Sequence, residues 1–181
     1  LGRGRWLELE EIEWTQANGK PHNWEVVSRP QDQRVVMIVA HLRPKGQLLC
    51  VRQYRPALDA HVLEFPAGLV DHDESFEEAA LRELREETGY TGQLQTLLPP
   101  RAVSSGICSE RIATALIDID VNLAANQNPC PQLEDSEDLE TVLLDPESWL
   151  VTLSTSDEID AKLSSYLLGL QGQALDQRSN Q

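Results

Sequence analysis

Basic residues are scarce in this chain. Fifteen Lys and Arg stand against thirty Asp and Glu, a formal net charge of −15 over 181 residues. A surface that acidic excludes general binding to nucleic acid or to anionic membranes, both of which need a basic face. It still admits a small anionic substrate, provided that bound cations bring local positive charge. Long apolar runs are missing too. None approaches the roughly 18 residues that would suggest a membrane span, although the 40% hydrophobic content is enough for the core of one domain. Leu1–Glu13 carries Arg and Glu but no apolar stretch, so it does not read as a secretory signal. The absence of an initial Met points to a trimmed start. Cysteine is limited to Cys50, Cys108 and Cys130, an odd number with no Cys-x-x-Cys. That fits neither a disulfide framework nor a zinc site. The three read as reduced thiols of a cytoplasmic protein, with Cys50 a small apolar residue in a strand-like run.

What is present is a chain of short extended segments around one strong helix. Asn18-Gly19 suits the positive φ angles of a tight turn and predicts a hairpin with arms Arg5–Trp14 and Asn23–Arg29. Arg34–Leu42 and Gln47–Tyr54 are apolar runs joined by Pro44-Lys45-Gly46, a second hairpin. His61–Phe65, Ile112–Ile119 and Glu140–Leu144 read as further strands. Ser75–Thr88 reads as a helix, because Ser75 and Glu78 form a capping box and Gly89 is placed for a left-handed stop. Phe76, Ala80 and Leu84 give it an apolar stripe. Asp145-Pro146 predicts a short helix, with Asp as cap and Pro in first position. Thr155 with Glu158 predicts another helix, running to about Leu170. Loops are expected at Pro99–Glu110 and Asn122–Asp138. The pattern is that of one mixed α/β domain without repeats or linkers.

One segment carries chemistry. Gly68, Glu74, Arg82, Glu83, Leu84, Glu86, Glu87, Gly89 and Tyr90 obey Gly-x5-Glu-x7-Arg-Glu-U-x-Glu-Glu-x-Gly-U, with U bulky and apolar. Helical positions i, i+3 and i+4 share a face, so Glu83, Glu86 and Glu87 are expected to project together, opposite the stripe. Between Gly68 and Tyr90, Asp71, Asp73, Glu74, Glu77, Glu78, Glu83, Glu86 and Glu87 face only Arg82 and Arg85, which leaves six uncompensated negative charges. Like charges this close destabilise a helix unless something neutralises them. Hard divalent cations with oxygen ligands would do so, Mg²⁺ above all where phosphates are handled. Arg82 is placed to bridge carboxylates and hold their rotamers.

The pattern is identified as the Nudix box, loose only at Tyr90, where an aliphatic residue is more usual. Val51-Arg52-Gln53-Tyr54-Arg55-Pro56 and Leu63-Glu64-Phe65-Pro66-Ala67-Gly68 resemble the ADP-ribose/ADP-sugar pyrophosphatase branch of that family, and a looser likeness covers Trp6-Leu7 and Asn23–Arg29. The resemblance implies an α/β/α sandwich with a mixed central sheet and an N-terminal antiparallel hairpin. Residues 1–30 would serve dimerisation and base binding, residues 31–170 would form the hydrolase domain, and residues 171–181 a flexible tail.

It also implies roles. The backbone carbonyl of Ala67 and the carboxylates of Glu83 and Glu87 would hold Mg²⁺, or Mn²⁺ in its place, with Glu86 close by. Arg55 would contact the diphosphate, for which its fork of donors is suited. Trp24 would stack on adenine, with Trp6 of a partner subunit as the second face of a homodimer's site. Glu25 and Arg29 would lie near the base or its phosphate. A loop glutamate would act as general base: Glu137, with Glu134 and Glu140 as alternatives. Ser104-Ser105-Gly106 stands where such enzymes often have a proline before the glycine, which puts in question the loop near the terminal ribose. The implied reaction is Mg²⁺-dependent hydrolysis of ADP-ribose to AMP and ribose 5-phosphate. Hydrolysis of another nucleoside-diphosphate sugar, or ADP-ribose sensing without hydrolysis, are the alternatives.

Overall fold

The computed structural model describes residues 1–29, 33–133, 137–154 and 158–179, and the side chains of these except 150, 153 and 172–179. At the N-terminus β1 (Gly2–Arg3), β2 (Glu8–Thr15) and β3 (Pro21–Ser28) form their own antiparallel sheet, in the order β1-β2-β3. The turn between β2 and β3 falls at the expected place, with Gly19 at φ 82°. The first arm begins at Glu8 rather than Arg5.

The second sheet is built on β4 (Arg34–Arg43), whose residues Val35–Ala40 are all buried. A strand buried on both faces needs a continuous apolar run rather than alternation, and Val-Val-Met-Ile-Val-Ala supplies it. On one edge β4 pairs in parallel with β9 (Arg111–Asp120). Its other edge is divided. Ala40–Leu42 pair with β5 (Gln47–Arg55), while Arg34–Met37 pair with β7 (Ala67–Val70). Between them the Ile38 N–H donates to the Pro66 carbonyl at 2.8 Å. This division splays the sheet. β8 (Gln93–Ala102) extends it beyond β9, while β6 (Ala60–Glu64), β10 (Leu139–Leu144) and β11 (Glu158–Ile159) gather around β5.

Each face is covered by helix. Val36, Ile38, Ala40 and Leu42 pack under α1 (Phe76–Thr88) with Ala79, Ala80 and Leu84. Met37 and Val39, from the opposite face of the same strand, pack with Leu163 and Leu167 of α3 (Ala161–Ser179) and with Trp149 of α2 (Trp149–Leu153). The result is the expected α/β/α sandwich with a mixed sheet.

Several boundaries differ from expectation. Pro99–Ala102 belong to β8 and not to a loop. β8 is a sheet edge with register shifts at Leu94/Thr96 and Leu98/Arg101, and prolines are tolerated at such places. Asp145–Ser148 form a turn, and the helix starts only at Trp149. Glu158 is in β11, not in a capping box, and Thr155 lies outside the described residues. The last helix begins after Asp160, whose Oδ1 accepts from the Lys162 N–H at 2.7 Å. It continues to Ser179, through the segment expected as a tail.

Candidate active site

α1 is held at both ends. Ser75 caps it with reciprocal bonds to Glu78, and Gly89 ends it at φ 74°. A Cβ on Gly89 would lie 2.2 Å from the Cys130 backbone nitrogen, so space as well as conformation demands glycine there. Leu84 is fully buried against the sheet.

The glutamates do not stand opposite the stripe. At about 100° per residue Glu87 falls on the same side as Phe76 and Ala80, and Glu83 lies just beside them. Both side into the fold: Glu83 is 9% exposed and Glu87 5%. They lie against the start of β7, where a Cβ on Gly68 would come within 1.9 Å of Glu83 Oε1. Gly68 is thus a gap through which a carboxylate reaches the strand. Burial raises the Glu83 carboxyl, against the pull of Arg82. Glu87 is pushed up to about 8, by burial first and then by the charges of Glu83 and Glu137; the Ala67 N–H pulls the other way. Glu87 Oε2 is buried without a hydrogen-bond partner.

Arg82 uses all five of its donors. Nε and Nη2 bind the two oxygens of Glu74, Nη1 binds Glu83 Oε1 and Glu86 Oε2, and Nη2 also binds the Leu69 carbonyl, each at 2.9 Å. Nothing remains for a substrate, so Arg82 positions the carboxylates and is not a catalytic contact. Its first effect is on Glu74, which it holds below the usual carboxylate range.

The carboxylates border a cleft of about 320 Å³ lined by Gln53, Arg55, Ala67, Gly68, Leu69, Arg82, Glu83, Glu86, Glu87, Gln132 and Glu137. Glu137 thus lines the same cleft as the α1 glutamates. Glu140 pairs instead with Arg52 at 3.4 Å, and Glu134 lies outside the described residues. Arg55, Ala67, Gly68 and Leu69 also line a second cavity of about 330 Å³, together with Arg29, Glu64, Phe65, Val103, Glu110 and Lys162. The two spaces share a wall and form one continuous candidate site. Arg55 donates through Nε to Glu64 at 2.7 Å, and Arg29 donates through Nε to Glu110.

The base-binding candidates are more scattered. The Trp24 indole N–H donates to the Gly106 carbonyl at 3.2 Å, which fixes the ring plane. Gly106 supplies that carbonyl without adopting positive φ, and a Cβ on it would meet nothing within 4 Å. Gly106 lies in a turn closed by the Ile107 and Cys108 N–H groups, both of which donate to the Ser104 carbonyl. Glu25 pairs across from Glu11, whereas Trp24 pairs across from Ile12. Consecutive strand residues point to opposite faces, so Glu25 turns away from Trp24 and lines neither cavity. Trp6 is half-exposed under the Arg5 guanidinium, 4.7 Å from its ring centre.

Sequence reasoning missed Gln53, Glu64, Glu110, Gln132 and Lys162. Gln53 had a usable signal, since it stands two residues before Arg55 on the same strand and so shares its face. The others arrive through tertiary packing.

A divalent cation fits this arrangement. Glu87 Oε2 lacks a partner, Glu83 fills a cradle that only glycine permits, and the donors are all hard oxygens. Among the described residues no three acidic, His or Cys side chains are already gathered at ligand distance.

Comparison with known proteins agrees with the geometry. The NUDIX domain profile matches residues 31–158. The chain is 32% identical to the ADP-sugar pyrophosphatase of Mus musculus, covering 94% of this chain and 84% of that one. It is 28% identical to the ADP-ribose pyrophosphatase of Saccharomyces cerevisiae, covering 92% and 77%. A crystal structure of an ADP compounds hydrolase superposes with a TM-score of 0.74 at 26% identity, over 98% of this chain and 91% of that one. With its acidic helix set against Gly68 and the domain profile spanning most of its length, this chain belongs to the Nudix hydrolase family.

Proposed function

We propose that the protein hydrolyses the diphosphate of ADP-ribose, or of a related ADP-sugar, to AMP and a sugar phosphate with Mg²⁺ bound, Mn²⁺ serving as substitute. The observation that carries this reading is the junction of the two cavities. Carboxylates line one side of it, Glu87 with a buried oxygen that has no hydrogen-bond partner, and the Arg29 and Arg55 donors line the other. The relatives named for ADP-ribose and ADP-sugars support the substrate class.

Glu83, Glu87 and the Ala67 carbonyl would hold the cation, with Glu86 beside them. When bound it would offset charge on the diphosphate and lower the pKa of a coordinated water. Arg55 binds the diphosphate oxygens and orients the bond to be cleaved. Glu137 takes the proton of the attacking water as its oxygen bonds to phosphorus and the bridging P–O bond breaks. Arg82 keeps Glu83 and Glu86 in place. Trp24 offers its indole face to the adenine, and Arg29 lies toward the nucleotide end. The chain acts as a homodimer, in which residues 1–30 reach the neighbouring copy and Trp6 closes the base site.

The test is a panel of ADP-ribose, ADP-glucose, GDP-mannose and NADH with Mg²⁺ or Mn²⁺, read by product chromatography. ADP-ribose is expected to give AMP and ribose 5-phosphate fastest. Preference for GDP-mannose would overturn the substrate. Tight ADP-ribose binding by calorimetry with no turnover under either metal would replace the enzyme by a sensor.

A further inference from the structure

The acidic cleft already holds Glu83, Glu86, Glu87 and Glu137. Two more carboxylates beside it, Glu64 and Glu110, add charge where charge is least welcome. Each is mostly buried, at 13% and 20% side-chain exposure, and each meets an arginine. The two pairs share one design. Glu64 takes the Nε of Arg55, and Glu110 takes the Nε of Arg29. Among the described residues, neither arginine has a partner on its terminal nitrogens. Both arginines line the cavity that adjoins the carboxylates.

We propose that Glu64 and Glu110 are positioning residues, which anchor Arg55 and Arg29 through Nε so that two forks are presented to the diphosphate. This deepens the reading above and rests on it. An arginine side chain loses considerable rotamer entropy when it is ordered by a ligand. A carboxylate on Nε fixes the guanidinium plane beforehand and leaves the two terminal nitrogens, the edge that matches phosphate oxygens, free to bind. The anchors have stiff supports. Glu64 pairs with Val51 across β5 and β6, at the far end of the hairpin from Arg55. Glu110 directly precedes β9, and Arg29 directly follows β3, where the Ser109 N–H donates to the Val27 carbonyl at 3.0 Å. The second pair thereby ties the N-terminal sheet to the cavity.

The test uses the full chain and its variants Glu64→Ala, Glu64→Gln, Glu110→Ala and Glu110→Gln. Three readouts are taken: steady-state kinetics, calorimetric binding of the α,β-methylene analogue of ADP-ribose, and Mn²⁺ affinity by electron paramagnetic resonance. Glutamine keeps an oxygen that accepts from Nε, whereas alanine does not. Each alanine variant is expected to raise KM and the analogue's Kd about tenfold, with kcat changed less. Each glutamine variant is expected to recover most of that loss, and Mn²⁺ affinity to stay at the wild-type level in all four. Glu64→Ala in an Arg55→Ala background is expected to cost little more. Two results overturn the proposal: glutamine variants as impaired as alanine with weakened Mn²⁺ binding, which makes these acids metal ligands, or alanine variants with unchanged KM and Kd. The substrate reading fails separately, if wild-type protein turns over another nucleoside-diphosphate sugar and not ADP-ribose; the same variants are then scored on that sugar.

Discussion

Glu87 is the residue on which the cleft's electrostatics turn. It is pushed up to about 8 in the folded chain, by burial and then by Glu83 and Glu137, against about 4.3 for an unfolded glutamate. Between those values the folded chain keeps a proton that the unfolded chain has released. The contribution to stability is therefore complete below about pH 4 and is lost as pH rises through about 8. Metal-free wild-type protein should melt lower at pH 8.5 than at pH 6. Glu87→Gln removes the penalty and should raise the Tm at pH 8.5 by roughly 5 °C. Millimolar Mg²⁺ should restore the wild-type Tm at pH 8.5 and move the variant far less. The same substitution should lower kcat at least about a hundredfold. An equal Mg²⁺ shift in both proteins would take Glu87 out of the ligand set. Two glycines offer a second contrast at this scale. Gly68→Ala places a methyl group 1.9 Å from Glu83 Oε1 and should abolish most activity, while Gly106→Ala meets open space and should leave the Tm within about 1 °C of wild type. A Gly68→Ala variant with full kcat would show that Glu83 need not occupy that gap.

At the scale of the element, α1 joins stability to chemistry, because the helix that buries Leu84 also carries the glutamates. Ser75→Ala removes an N-cap bond and should cost about 1 kcal/mol in urea unfolding. Its kcat should change little, since Arg82 and the sheet still hold the far end of the helix. A large fall in kcat without a fall in stability would mean that the cap sets the carboxylates directly. The boundaries of α1 were legible from sequence because capping box, stripe and left-handed stop all lie within fifteen residues of one another. The same local reading found the Asn18-Gly19 turn and β4, whose buried run is continuous. It failed where an element exists only because of a distant partner. β7 is four residues, Gly68 among them, and stands by pairing with Arg34–Met37. β11 is two residues paired with Val62 and Leu63. The site divides in the same way. Glu83, Glu87, Arg82 and Gly68 announce themselves by spacing, whereas Glu64, Glu110 and Lys162 reach the cavity from a strand, a loop and a helix. The i, i+3, i+4 spacing groups the three glutamates but does not place them opposite the stripe, because eleven residues at about 100° each bring Glu87 back to the side of Phe76 and Ala80.

At the scale of the whole molecule the least supported part is the N-terminal sheet. Three strands with both faces largely in water have little stability of their own. On one face of this sheet Ile12, Trp14 and Trp24 stand together, each 41–49% exposed. Loop contacts at Gly106, Ile107 and Ser109 reach β3 at Trp24 and Val27. An apolar face of this kind calls for cover, and a second copy of the chain is the occupant that the proposed dimer requires. Two copies each carrying −15 repel one another. An association driven by apolar burial against that repulsion should tighten as salt is added, the reverse of one made by ion pairs. Sedimentation equilibrium at about 10 mM and about 300 mM NaCl, salts chosen for their differing Debye lengths, should therefore show a lower dimer dissociation constant at the higher salt. Ile12→Glu should give a monomer at both. Because Trp6 is assigned to the neighbour's base site, that monomer should also show a raised KM for ADP-ribose while kcat is largely kept, and Trp6→Ala should reproduce the raised KM in a protein that remains dimeric. A wild-type chain that sediments as a monomer at every salt, or an Ile12→Glu variant that stays dimeric, would show that the apolar face meets something other than its own copy.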